Sequence, residues 1–249
     1  EGYRNFANKI WNASRFVLMN LEEGFVPNSK LVTEHSTRAD KWIISRFQTI
    51  IKEVTFALEE YRFNDVASSL YQFIWHEYCD LYVEMSKNDL KNENHSVRKA
   101  TQTTLVIVLE STLRLLHPIM PFITEEIWQK LPASTRGKEN SIMISPFPQV
   151  DEQLINSESE RYMKLTMDTN LSLRNIRGEM KIPPSARPVV NTRPKDEESL
   201  RILEETKSYI ISLSGLSDIH IAMDATFPPG SATSTTTWAV SGMYLPEEA

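Results

Sequence analysis

Apolar residues recur at helical spacing through roughly the first 140 residues of this chain and then give way to short alternating runs. The opening stretch, Arg4 to Met19 (RNFANKIWNASRFVLM), shows the first pattern most clearly. Plotted at about 100° per residue, Phe6, Ala7, Ile10, Trp11, Val17 and Leu18 share one side, with Ala13 and Ser14 between them. That is the core-facing stripe of an amphipathic helix. The opposite side collects Arg4, Asn5, Asn8, Lys9, Asn12, Arg15 and Phe16.

Further helices follow. Gly24 and Pro27 break the chain, and a second helix is expected from about Thr37 to Tyr61, capped by Ser36 or Thr37 with Asp40 in its first turn. A third starts near Asn64 as N-cap and carries Ala67, Leu70, Tyr71, Ile74, Tyr78, Leu81 and Met85 as its stripe. Lys87 to Ser96 reads as a loop. The next helix, Ser96 to Leu116, is apolar almost all round after Leu105, as a central bundle member would be. His117-Pro118 ends it, and a short helix follows near Thr124 to Leu131. Short connections between these helices predict an antiparallel bundle.

After residue 140, SIMISPF reads as extended and Glu158 to Met180 as a helix. ARPVVNTR (186–193), DIHIAM (218–223) and TTTWAVSGMYL (235–245) read as strands, with a helix from Asp196 to Leu213 closed by Gly215. SATSTTT (231–237) reads as a turn or loop. The expected fold class is mainly α: a helical bundle over 1–150, then a small α/β domain over 151–249.

Composition narrows the chemistry. The 249 residues are 41% hydrophobic and 24% charged, ordinary for a globular protein, with a net charge of −6. An acidic body excludes nucleic-acid binding over the whole surface and leaves only a local basic face. Residues 1–20 have that character, with Arg4, Lys9 and Arg15 against Glu1 alone. The single cysteine, Cys79, permits no internal disulfide and reads as a small buried residue, fitting a reducing, cytoplasmic setting. No apolar run approaches the ~20 residues that span a bilayer, so no membrane partner is expected. The Asn12, Asn94 and Asn170 sequons are then chance matches.

The polar face of the first helix has three cations, three amides and no carboxylate, with an aromatic ring among them. Cations meet phosphate, a ring stacks on an unpaired base, and amides read base edges. One helix cannot define such a site. By itself the wheel favours the plainer alternative, a solvated face with Phe16 packed on a neighbouring helix. Elsewhere no glycine-rich phosphate loop, nucleophile elbow or metal-ligand spacing occurs. Glu59-Glu60 and Glu125-Glu126 read as helix surface, and Trp42, Trp75 and Trp128 as core. Arg174, Arg177 and Lys181 form a basic ridge expected to pair with local Glu.

The opening RNFANKIWNASRFVL closely resembles the start of the anticodon-binding domain of valyl-tRNA synthetases, class I aminoacyl-tRNA synthetases. The resemblance continues in family order through ADKWIISR (39–46), YRFNDVASSLYQFIWHEYCDLYVEMSK (61–87), LRLLHPIMPFITEEIWQKL (113–131) and LRNIRGEMKIPPSARP (173–188). The bundle signature is shared loosely with isoleucyl, leucyl and methionyl enzymes. WHEYCDLYVEM and NKIWNASRF look specifically valyl. YLPEE (244–248) falls where the family's coiled-coil arm would soon begin.

The resemblance implies a module that recognises the anticodon loop of valine tRNA, tRNA(Val), and positions it for aminoacylation. Lys9, Arg15 and Phe16 match tRNA-contacting positions, with Arg4, Asn5, Asn8 and Asn12 as further candidates on the same face. The family's His-x-Gly-His and Lys-Met-Ser-Lys-Ser signatures do not occur; Glu84-Met85-Ser86-Lys87-Asn88 mimics the second by coincidence. The resemblance therefore implies no catalytic residue, cofactor or metal in this chain. ATP and Mg are expected in other domains of a parent valine–tRNA ligase, and editing is expected elsewhere too. The implied partners are tRNA(Val) and the rest of the synthetase chain, with no membrane and a monomeric state.

Overall fold

The computed structural model describes residues 2–244 and falls into two compact units, Glu1–Ser159 and Glu160–Ala249. Residues 245–248, with most of YLPEE and the end of the expected last strand, lie outside the described residues.

The first unit is helical. Helix α1 (Gly2–Met19) buries Phe6, Ile10, Ala13, Ser14 and Val17, the stripe read from the sequence. A short α2 (Ser29–His35) follows, its N-terminus capped by the Asn28 side chain accepting from Leu31 N. Helix α3 (Arg38–Glu59) opens with a capping box: the Thr37 hydroxyl accepts from Asp40 N and the Asp40 carboxylate from Thr37 N. Helix α6 (His95–Leu116) is capped by Asn94 and buries most of its length; Pro121 then occupies the first turn of α7 (Pro121–Lys130).

Between α3 and α6 runs one continuous helix in three parts. Helix α4 (Phe63–Gln72) passes into a π-helical stretch, Phe73–Tyr82, and then into α5 (Val83–Asp89). The start lies one residue before the expected Asn64 cap, and no side chain caps it. The wider π turn also changes which residues face inward. Phe73, Tyr78 and Val83 are buried at intervals of five, whereas Ala67 and Tyr71 are exposed and Leu81 is half-buried. Of the expected stripe, Leu70, Ile74, Tyr78 and Met85 are buried, and the exposed Ala67 and Tyr71 lie in α4, before the π turn.

Polar groups fix the register of the bundle. Asp40 is fully buried and accepts hydrogen bonds from the Tyr82 hydroxyl (2.6 Å) and the Thr101 hydroxyl (2.9 Å). Burial raises the Asp40 carboxyl above the usual aspartate range, although its hydrogen bonds oppose this, and lifts the Tyr82 phenol well above its own. The Tyr78 hydroxyl donates to Leu105 O (2.8 Å), and Arg46 forks onto Glu77 at 2.8 and 3.0 Å. Progress from Tyr78 to Tyr82 thus matches a step back from Leu105 to Thr101 and from Arg46 to Asp40. Helices α3 and α6 both run antiparallel to the α4–α5 helix. Helix α1 runs parallel to it, with Phe6 beside Tyr71 and Phe16 beside Lys87.

SIMISPF is not extended: Ile142–Ile144 form a 3-10 turn, because the Ser141 side chain caps it and Glu125 draws in Ser141 and Ile142 N.

Helix α8 (Ser157–Glu179) leads into the second unit, where β1 (Val189–Pro194), β2 (Asp218–Ile221), β3 (Ala232–Thr235) and β4 (Ala239–Tyr244) form one sheet in the order β2-β1-β4-β3. β1 and β2 are parallel and the other pairs antiparallel. The expected single helix is two, α9 (Glu197–Glu205) and α10 (Lys207–Ser214), divided at Thr206. The buried Thr206 hydroxyl bonds back to Ile202 O and accepts from Thr166. Gly215 ends α10 in the left-handed conformation, φ 63°. SATSTTT is a strand rather than a loop: Ala232–Thr235 pair with β4, which gives the Ser/Thr run its hydrogen-bond partners. Tyr162, Leu165, Leu173 and Ile176 of α8 pack with Val190, Leu203, Ile219 and Met243 in this unit's core. The protein is thus a helical domain followed by a small α/β part.

Candidate nucleic-acid interface

Once Phe6, Ile10 and Val17 are turned into the core, the helical repeat directs Arg4, Asn5, Asn8, Asn12 and Arg15 outward, and all five are exposed. Lys9 and Phe16 lie at the edges of this face and are half-buried. The structure therefore brings all seven sequence-selected residues onto one side of α1. Among the described residues no hydrogen bond or ion pair engages the Arg4 or Arg15 side chain.

The neighbouring π-helical stretch changes the electrostatics of that face. The Lys9 ammonium pairs with the Asp80 carboxylate and lies 4.9 Å from the centroid of the Trp75 ring. His76 Nδ1 stands 3.6 Å from the other Asp80 oxygen. Trp75 stacks against Phe6 and Tyr71, so it is a half-buried platform under Lys9 rather than a core residue like Trp42 and Trp128. Farther along, Lys87 Nζ is 5.7 Å from the Phe16 ring centroid while also bound to Glu84 at 2.7 Å. Phe16 is therefore half-buried, with the Lys87 ammonium of α5 over its ring.

Asp80, Trp75 and Lys87 escaped the sequence reading. Asp80 is 71 residues from Lys9, and no local pattern links them. The π-helical register that brings them to α1 leaves no signal in the apolar pattern, since Ile74 and Tyr78 are buried as a 3.6-residue repeat also predicts. Cys79, in the same stretch, is buried as expected, and desolvation pushes its thiol up to about 12 despite the nearby Lys9 charge.

The basic ridge of α8 proves structural at Arg177. Its guanidinium donates to the carbonyls of Gly215 (3.1 Å), Pro183 (3.0 Å) and Ala186 (3.2 Å), not to glutamate. Those carbonyls end α10 and line the 183–186 turn, where free acceptors are more demanding than a mobile carboxylate. Among the described residues no group of three or more His, Cys, Asp or Glu side chains is placed to hold a metal ion.

Residues 40–192, from the start of α3 into β1, match the family model described as the anticodon-binding domain of tRNA ligase. The chain belongs to this family. Relatives of this anticodon-binding domain include the valine–tRNA ligase of Syntrophotalea carbinolica, 43% identical over 232 residues (93% of the chain). The valine–tRNA ligases of Bacillus cereus and Listeria innocua are 41% identical over 246 residues (99%) and 40% identical over 249 residues (100%). These longer alignments include α1, which the family match does not. The chain spans about a quarter of the length of these relatives, 26–27%, and corresponds to their C-terminal region.

Proposed function

We propose that this anticodon-binding domain reads the anticodon loop of tRNA(Val) through the outward face of α1, as part of a cytoplasmic, monomeric valine–tRNA ligase. The observation that carries the reading is the convergence on one helix face of two exposed arginines without a partner among the described residues, three exposed amides and a half-buried aromatic ring. Arg4 and Arg15 supply phosphate contacts. The Phe16 ring offers a stacking surface to an unpaired base. Asn5, Asn8 and Asn12 carry both donors and acceptors for base edges. Lys9 reaches RNA only by sharing its ammonium with Asp80.

Activation of valine, with ATP and Mg, belongs to the rest of such a ligase. The part played here is positioning: binding energy at the anticodon is converted into a correctly placed tRNA end. The test is a titration of the chain with the valine anticodon stem-loop at two salt concentrations, beside a copy with the middle anticodon base changed. Salt-sensitive binding that weakens on the base change is expected. Equal binding to both would reduce α1 to a nonspecific phosphate contact, and no binding to either would sink the reading.

A further inference from the structure

Four cations gather in the second unit where α8 ends. Residues 174–187 hold Arg174, Arg177, Lys181 and Arg187 against one carboxylate, Glu179. Arg174 and Arg177 are three residues apart and share one face of α8, and the helical repeat turns Glu179 away from both. Lys181 follows two residues beyond the helix, next to Ile182, whose N–H donates to Arg177 O at 2.9 Å. The 183–186 turn then brings Arg187 back toward Arg177. The Nη1 atoms of Arg187 and Arg177 lie 2.8 and 3.9 Å from the point where a side chain would begin on Gly215, so the two guanidinium groups are close neighbours.

The charge of this cluster is not compensated. Arg177 gives its hydrogen bonds to the carbonyls of Gly215, Pro183 and Ala186. Carbonyls satisfy donors but carry no net charge, so the guanidinium keeps its full positive charge. Arg187 donates to another carbonyl, Pro184 O, at 3.4 Å. Arg174, Lys181 and Arg187 are exposed, and among the described residues no carboxylate pairs with any of the four. Other cations of the same unit do have counter-charges: Arg161 pairs with Glu198, Lys164 with Asp168 and Lys207 with Asp218. A merely solvated surface mixes both signs, whereas cations held together without a counter-charge create a field that draws in an anion.

We propose that Arg174, Lys181 and Arg187, together with Arg177, form a second RNA contact, a patch that holds backbone phosphates of the tRNA without reading its sequence. The occupant follows from charge complementarity and from the family, whose polyanionic partner is a tRNA. The inference takes that partner from the proposed function, but not the α1 site. Guanidinium groups suit the task, because their planar forks match phosphate oxygens and never lose their charge near neutral pH. Gly215 makes the arrangement possible: a side chain there would meet Arg187 Nη1 at 2.8 Å and displace it. Phosphate contacts position an RNA and carry no base information. The patch therefore adds affinity equally for cognate and non-cognate tRNA and leaves discrimination to the anticodon face.

The test is a salt titration of the chain with intact tRNA(Val) transcript and with the same transcript changed at the middle anticodon base. One variant combines Arg174→Gln, Lys181→Gln and Arg187→Gln. Arg177 stays in place because the 183–186 turn and the end of α10 depend on it. A second variant keeps the charges, with Arg174→Lys, Lys181→Arg and Arg187→Lys. The neutral variant should bind both transcripts at least about tenfold more weakly at low salt, by the same factor, and its slope of log affinity against log salt should fall by about two. The charge-preserving variant should keep the wild-type slope. An unchanged slope in the neutral variant overturns the proposal, as does an equal loss in the charge-preserving one, which would make the cluster structural. Wild-type binding that ignores the base change, with a slope that still falls in the neutral variant, would sink the α1 reading and leave the patch standing. Absence of binding to either transcript would overturn both.

Discussion

Lys9 on α1, its ammonium over the ring of Trp75, forms an ion pair with Asp80 on the π-helical stretch. The pair sets the sign of the potential at one edge of the proposed RNA interface: a cation that the sequence offers to phosphate is already neutralised by a carboxylate. Both side chains are about one third exposed, so the pair adds little to stability and acts mainly on what may approach.

Asp80→Asn is therefore expected to tighten RNA binding at low salt. The freed Lys9 becomes an additional phosphate ligand, and the slope of log affinity against log salt should steepen by about one. An unchanged slope would mean that the Lys9 charge stays out of reach of RNA phosphate.

Phe16→Ala should weaken binding of the valine anticodon stem-loop by about 1–3 kcal/mol, the loss of one base-stacking surface. Phe16→Tyr should retain most of the affinity. Helix content measured by circular dichroism should be the same in all three proteins. Equal affinity for Phe16→Ala and wild type would return Phe16 to a packing role beside Lys87.

Asp40 gives the bundle a pH dependence whose direction follows from its burial. Desolvation raises its folded-state pKa above the ordinary aspartate value of about 4, so the native state holds the proton more tightly than the unfolded chain. Its titration therefore contributes stability that is full below that ordinary pKa and is lost as pH rises through the raised one. Asp40→Asn cannot titrate. Urea unfolding should show the stability of wild type relative to this variant falling as pH rises through the acid range, and a difference independent of pH would contradict the assignment.

Cys79 should be inert to thiol reagents in the native protein. With its thiol at about 12, thiolate at pH 8 is scarcer by about four orders of magnitude than total thiol, and the side chain is 7% exposed. Labelling should become fast only in denaturant. Rapid native labelling would show that the π-helical stretch opens.

Arg177→Met should destabilise the second unit by roughly 2–4 kcal/mol, since the carbonyls of Pro183, Ala186 and Gly215 lose a shared charged donor. Separate unfolding of the two units, followed through Trp238 emission, would check it.

The sequence by itself determined the elements whose signals are local. The buried stripe of α1, the cap at the start of α3 with Asp40 in its first turn, and the Gly215 stop each depend on neighbours within a turn or two, whereas α7 begins at Pro121, three residues before the expected Thr124. It also determined which α1 residues face outward, since a helical repeat fixes direction once its buried side is known. Only the tertiary structure decided what stands opposite that face. The π-helical register of Phe73–Tyr82 has no signature in a 3.6-residue pattern, yet it brings Asp80 to Lys9 and Trp75 beneath the Lys9 ammonium. The same reason applies to β3, where a Ser/Thr run becomes a strand because β4 supplies its hydrogen-bond partners, and to Arg177, which joins the nearby 183–186 turn to a helix end 37 to 38 residues away.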